Sequence, residues 1–301
     1  MQNAISLEAL RALDAIDRKG SFAAAAEALF KVPSALSYTI QKLETDLDVM
    51  LFDRSRQKAQ LTAAGKLVLE QGRQLLRAAE ALEDAVKQLE TGWETRLTIA
   101  KDTIVPNAPL FELLKRFTAL DKMTEVTLKE EVLGGGWEAL QTGQAQIAVG
   151  VSGDLPKGQY HVVPLGQAEF VFAISPAHPL ATETGIISAE QLKEQTLIIV
   201  ADSAISTPRQ SSGLLDTRHS IRVMNMTAKI EAQKCGTGIG FLPRHLIQRE
   251  LASGELIIKP IGIPRANASL YLAWDKQLNG NALQWFSTQL SQLDWPAILS
   301  V

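Results

Sequence analysis

Five polar side chains share one side of a short segment. In "PSALSYTIQKLETDL", Ser34, Ser37, Tyr38, Gln41 and Lys42 lie three or four residues apart, so a helix would gather them on one face. Leu36, Ile40, Leu43 and Leu47 would point the opposite way, into a core. Hydroxyls, an amide and an ammonium on a single helix face match the donors and acceptors that base pairs show in the major groove. A second cluster follows. "LFDRSRQKAQLT" sets Arg54, Arg56 and Lys58 at alternate positions, one face of an extended hairpin, where cations suit phosphate contacts that fix register without reading sequence.

A third set lies further along, where predicted strands end in loops. These are Asp102, Thr103 and Val105; Gly134 and Gly135; Val151 and Ser152; Asp202, Ser203 and Thr207; and Asn225, Met226 and Thr227. Loops at the carboxyl ends of strands feed helix N-termini, whose free N–H groups favour an anion such as a carboxylate. Arg209 could clamp such a group, although a surface role fits it better. Asp102 would repel an anion, which keeps an uncharged or amine-bearing ligand open. Each residue taken alone is equally consistent with an ordinary cap or turn.

The elements that must carry the first two sets read clearly. Leu7, Leu10, Leu13 and Ile16 mark a helix that Gly20 stops. Ser21 is a good N-cap for a second helix with the stripe Phe22, Ala25, Ala26 and Leu29. Pro33 suits the first turn of a third. Helix, short turn and helix with an outward polar face make the helix-turn-helix pattern, with Ser21 and Pro33 at its helix starts. The competing reading is an αα-hairpin with a solvated face. Thr62 can then cap a long helix whose Val68, Gly72, Leu75, Ala79, Leu82, Val86 and Leu89 recur by fours and threes, a heptad row suited to pairing two copies. The same row would also serve a helix packed on its own domain. "TGWET" reads as a hinge.

From residue 96 onward strands and helices alternate. "RLTIAK", "EVTLKEEVL", "AQIAVG", "HVVPL", "EFVFAIS", "TLIIVA", "SIRVM", "GELIIKPI" and "SLYLAW" read as strands. Helices are expected over 109–120, after the glycines 134–136, over 227–234 and over 281–293. This is a parallel-rich α/β pattern.

Composition narrows the function classes. The chain has 301 residues, 46% apolar and 21% charged, with net charge −3. Residues 1–60 hold eight Lys/Arg and eight Asp/Glu, so any hold on nucleic acid must rest on aimed contacts rather than bulk charge. No uncharged apolar run of membrane-spanning length occurs, and the N-terminus lacks the basic start and apolar run of a signal peptide, so no membrane association is expected and the cytoplasm is the expected compartment. Cys235 is the single cysteine and is expected to be a buried structural thiol. "GTGIG" follows a helix instead of a strand and reads as a tight turn, not a dinucleotide fingerprint. His161, His178, His219 and His245 have no metal-site spacing, His178 reading as structural. No nucleophile elbow or carboxylate pair points to catalysis, so neither an enzyme nor a cofactor is expected.

With these residues in view, the chain resembles the LysR-type transcriptional regulators. The resemblance rests on "LEALRALDAIDRKGSFAAAAEAL", "SALSYTIQKLETDLDVMLFDR" and "LTAAG", in order and at matching spacing, and "GWETRLTI" is similar to the YhaJ-like branch. It implies an α/β protein with an N-terminal winged helix-turn-helix (1–61), a dimerising linker helix and hinge (62–94), and two Rossmann-like lobes resembling periplasmic binding proteins. Lobe one would span 95–164 and 267–301, lobe two 165–266. The expected partners are double-stranded promoter DNA, a small-molecule effector such as a small organic acid held between the lobes, further copies of the chain as dimer or tetramer, and RNA polymerase. Pro33 and Tyr38 stand where the family often has Gln and Arg, Asp48 where Gly is usual, and Gln146 where Asp is frequent. The other readings are a solute-binding component, which leaves the basic hairpin unexplained, and an enzyme with an accessory helical domain.

Overall fold

The computed structural model describes residues 4–53, 60–153, 158–206, 211, 217–263 and 265–300. The chain divides into two compact units, Met1–Lys87 and Gln88–Val301.

In the first unit, Ser6 opens α1 (Leu7–Lys19) by accepting the Ala9 N–H, and Gly20 closes it at φ 72°. Ser21 accepts the Ala24 N–H at the start of α2 (Phe22–Ala28). Pro33 occupies the first turn of α3 (Pro33–Leu47). The inward stripes meet in one core that joins Leu13, Ile16, Ala25, Ala26, Leu36, Ile40 and Leu43 with Leu51 and Phe52. Asp48 ends α3 at φ 54°, a left-handed conformation that a short polar side chain tolerates. Buried Glu44 then accepts from the N–H groups of Leu51 (2.8 Å) and Phe52 (3.2 Å), which fixes the chain's path from α3 into a two-stranded antiparallel ladder, β1 (Phe52–Asp53) with β2 (Gln60–Leu61). Arg54, Arg56 and Lys58, expected on this hairpin, lie outside the described residues.

The long helix α4 (Ala63–Thr91) follows Thr62, whose hydroxyl accepts the Gly65 N–H and donates to the Met50 carbonyl. Its heptad row divides in two. Val68 packs on the core of its own unit, and a Cβ added at Gly72 would stand 2.6 Å from Leu10 Cδ2. Gly72 thus sits against α1 and half-buried Val68 against the core of its own unit, so this end of the row has partners within the chain. Arg73 reinforces the contact through Asp14 (2.6 Å) and Asp17 (2.9 Å). Further along, Leu75, Leu82, Val86 and Leu89 are exposed and Ala79 is half-buried.

The second unit runs β3 (Arg96–Asp102), α5 (Asn107–Thr118), β4 (Glu125–Glu131), α6 (Gly135–Gln141), β5 (Ile147–Val151), β6 (Tyr160–Ala168), β7 (Phe170–Ile174), α7 (Ala189–Lys193), β8 (Thr196–Val200), β9 (His219–Val223), α8 (Met226–Lys234), β10 (Phe241–Pro243), α9 (Gln248–Ser253), β11 (Ile257–Ile258), β12 (Ala268–Asp275), α10 (Asn281–Ser291) and α11 (Trp295–Leu299). Lobe one is the sheet β4-β3-β5-β12-β6. Lobe two holds β10-β7-β11 and the parallel pair β8-β9, with a bridge from Leu197 to Ile239. The two spans between lobes are β6 going out and β12 returning, paired along eight positions. Because β12 comes back, it runs antiparallel to both β5 and β6, and β7 pairs antiparallel with β10 and β11. The sheets are thus mixed, less parallel than the alternating pattern suggested. A short terminal helix, α11, also went unread; it buries Trp295 and Leu299.

Three smaller readings can be placed. A Cβ on Gly238 would stand 2.3 Å from the Thr196 carbonyl, so "GTGIG" is a turn pressed against β8. His178 is buried and its Nδ1 accepts the Leu180 N–H. Cys235, expected to be buried, is exposed, because it falls just past the last turn of α8 instead of on its inward face.

Candidate functional site

On α3, Pro33, Ser34, Ser37, Tyr38, Gln41 and Lys42 are all exposed, while Leu36, Ile40 and Leu43 are sealed beneath them. Tyr38 keeps 67% of its surface, so its ring takes no part in the core beneath α3. Ser21 is exposed as well, although its hydroxyl is already engaged as the α2 cap. An open hollow of about 620 Å³ beside Tyr38 and Lys42 is edged by Asp46 and by Glu8, which is paired with Lys31.

The second unit holds a smaller and better enclosed space, a cavity of about 120 Å³ between the lobes. Lobe one contributes Asp102, Thr103, Ile104, Val132, Leu133 and Ser152. Lobe two contributes Phe170, Val200, Met226, Lys229 and Phe241, and the approach to β12 adds Arg265 and Ala268. Asp102 sits at the end of β3. Its Oδ1 accepts the Ile104 N–H (3.0 Å) and its Oδ2 the Leu133 N–H (3.2 Å), yet burial outweighs these bonds and pushes its carboxyl up to about 7. Leu133 holds a left-handed φ of 52° in the cavity wall, a strained conformation for a branched side chain. The Thr103 hydroxyl accepts the Met226 N–H at 2.8 Å, so the first N–H of α8 is satisfied from the opposite lobe.

Of the residues expected to hold a ligand, Asp102, Thr103, Ser152 and Met226 line this cavity. Val105 and Thr227 line a separate open groove of about 230 Å³, which Thr103 also borders. Gly134, Gly135 and Ser203, together with Asp202, instead fasten one lobe to the other. Ser203 Oγ donates to Glu131 at 2.5 Å and accepts the Val132 N–H, and Asp202 accepts the Gly134 N–H. Glu138 accepts from Ile205 (2.8 Å) and Ser206 (3.1 Å). Val151 is buried against Gly136, and Asn225 caps α8 by accepting the Ala228 N–H. Thr207 and Arg209 fall outside the described residues.

Sequence reasoning missed Lys229, Arg265, Phe170 and Phe241. Lys229 had a usable signal: it lies three residues after Met226, hence on the same face of α8. Arg265 sits in an irregular approach to β12, and no periodicity marks it. Its guanidinium lies 3.7 Å from the centre of the Phe170 ring and 5.3 Å from that of Phe241. Burial holds Arg265 down to about 10, and burial next to Arg265 holds Lys229 down to about 7.

A three-helix head with an outward polar helix face, a long helix, and a two-lobed α/β module around a cavity define a DNA-binding regulator with a ligand-binding domain. The chain belongs to the LysR family: residues 7–66 match the bacterial regulatory helix-turn-helix protein, lysR family, and residues 90–294 the LysR substrate binding domain. It is a LysR-type transcriptional regulator. It is 39% identical to the HTH-type transcriptional regulator YeeY of Escherichia coli (strain K12), across 94% of this chain and 92% of YeeY. It is 36% identical to the HTH-type transcriptional regulator YhaJ of Escherichia coli O157:H7, across 97% and 98%. The full-length CbnR structure complexed with its target DNA shares the fold, with TM-score 0.60 and 19% identity over 95% of this chain and 98% of that one. No helix among the described residues is long and apolar enough to cross a membrane.

Proposed function

We propose that the regulator reads promoter DNA with the exposed face of α3 and is switched by a small molecule in the interlobe cavity. One observation carries the first half: Ser34, Ser37, Tyr38, Gln41 and Lys42 are all exposed opposite a fully buried Leu36–Ile40–Leu43 stripe. Side chains of these types reach base edges. Ser21 and Pro33, at the starts of α2 and α3, lie toward the backbone. Arg54, Arg56 and Lys58 contact phosphates from the hairpin, giving affinity that falls with salt. CbnR, a neighbour in fold, was solved on its target DNA, which supports this use of the head.

The row Leu75, Ala79, Leu82, Val86 and Leu89, with Val68 at its start, pairs two chains through their linker helices, so that two heads meet two half-sites. Dimers associate further into tetramers. Residues 1–61 act as the DNA-binding domain, 62–94 as linker and hinge, 95–164 with 267–301 as lobe one, and 165–266 as lobe two. Asp102, Thr103, Ser152 and Met226 contact the effector directly. Val105, Gly134, Gly135, Val151, Ser203, Thr207, Asn225 and Thr227 shape and close the loops around it. The effector must bind one lobe arrangement better than another, since equal affinity shifts nothing. The output passes to RNA polymerase in the cytoplasm, without catalysis.

Genome-wide mapping of bound sites tests this reading. The Ser37→Ala, Gln41→Ala double variant is expected to lose or redistribute its sites while remaining folded. An occupancy map identical to that of the wild type would remove α3 from recognition.

A further inference from the structure

Lys229 is 2% exposed, lines the cavity, and has no ion-pair partner among the described residues. Arg265, half-buried on the same cavity, has none among the described residues either. The rings of Phe170 and Phe241 orient the Arg265 guanidinium and attract it, but they do not neutralise it. A neutral acceptor lies near Lys229: a Cβ built on Gly240 would stand 3.1 Å from Lys229 Nζ and 3.2 Å from Gln233 Oε1, an oxygen with no hydrogen-bond partner. A bond between those two groups would satisfy a proton without supplying a counter-charge. Buried cations are strongly disfavoured unless paired, and two on one cavity wall disfavour each other as well.

From this geometry we infer that the cavity takes a small monocarboxylate with an apolar body, its carboxylate held by Lys229 and Arg265 at the lobe-two end. The inference rests on the reading of this cavity as the effector site. The apolar part would pack on Ile104, Val132, Phe170 and Phe241. At about 120 Å³ the space is close to the size of an engineered cavity of about 150 Å³ that accepts benzene, so the body is of the order of six non-hydrogen atoms. Asp102, at the lobe-one end, accepts two backbone N–H bonds and has a carboxyl pushed up to about 7, so it repels an incoming anion only weakly near neutrality.

The test is calorimetric titration of the full-length protein with isobutyrate and benzoate, and with the neutral amides of the same shape. The acids are expected to bind and the amides to bind about 10- to 100-fold more weakly. Lys229→Met and Arg265→Gln should each lose a similar factor for the acids, and Arg265→Lys should recover part of it. Ser152→Phe, which fills the cavity, should abolish binding. If amides bind as well as acids, or Lys229→Met leaves acid binding unchanged while Ser152→Phe removes it, the cavity is the effector site and the inference of an anion is wrong. If acids bind despite Ser152→Phe, the cavity reading itself fails. If no acid binds at all, the inference is overturned, and promoter output in Ser152→Phe cells then judges the cavity reading separately.

Discussion

The Thr103 hydroxyl of lobe one accepts the Met226 N–H at the start of α8 in lobe two, at 2.8 Å. A single side chain therefore joins a cavity wall to the helix that carries Lys229. Thr103→Val keeps the shape and removes the acceptor, leaving a buried N–H unpaired at about 1–3 kcal/mol. The expected outcome is a blunted response to effector with operator binding intact. Titration of effector-dependent promoter output checks it, and equal effector affinity in both proteins would remove Thr103 from the switch.

Gly135 is held to its side-chain-free state by the interlobe fastening. A Cβ there would lie 1.9 Å from Ser203 Oγ and 2.5 Å from Glu131 Oε2. Gly135→Ala must push the Ser203 loop off lobe one, an overpacking that destabilises by about 1–3 kcal/mol. The melting temperature should fall by several degrees, and adding Ser203→Ala should recover part of the loss.

The head makes two separable predictions. Arg54→Ala should weaken binding on all sequences alike and reduce the salt slope by about 1. Tyr38→Ala should instead change the ranking among sites. Affinity measured at several salt concentrations on matched and scrambled operators separates the two effects.

Leu82 keeps 67% of its surface in the single chain. Leu82→Asp would place a charge inside the proposed pairing row and should shift the protein toward monomer in sedimentation. An unchanged assembly would mean that the exposed half of α4 does not pair chains.

Lys229 links pH to stability. Its value is held down to about 7 in the folded chain, against an ordinary 10.5. Between those values the unfolded chain binds a proton that the folded one lacks, so stability rises with pH across that window, and the burial penalty is largest at and below about pH 7. Lys229→Met should therefore stabilise the free protein, on the order of a few kcal/mol near pH 7, and the gain should shrink toward pH 10. Thermal melts of both proteins at pH 6.5, 8 and 9.5 give the trend; a constant difference would show that the group does not titrate in this range.

Much of this was legible in the sequence because local rules and global packing agree there. Gly20, Ser21 and Pro33 punctuate the head by stop and capping chemistry, and the spacing of Leu36, Ile40 and Leu43 sets the polar face outward. Gln146, where the family often has Asp, accepts the Thr98 N–H at 2.8 Å. Legibility failed where one pattern serves two contacts. A heptad row looks the same whether it faces a second copy or α1, so nothing separated Gly72 from Leu82. The inward face of α8 was equally ambiguous, since "MTAKIEAQK" mixes polar and apolar residues all round, and Lys229 was missed for that reason.

The paired spans β6 and β12 constrain how this protein can change over evolutionary time. They are rungs of one ladder, and slipping either by a residue turns its side chains to the opposite face. The ladder already carries one irregularity between Leu270 and Tyr271, where β6 has one residue more, so a further insertion or deletion in either span would turn the residues beyond it and uncover side chains such as Leu272. Drift in length should therefore collect in surface loops, while the neck between the lobes changes letters but not number.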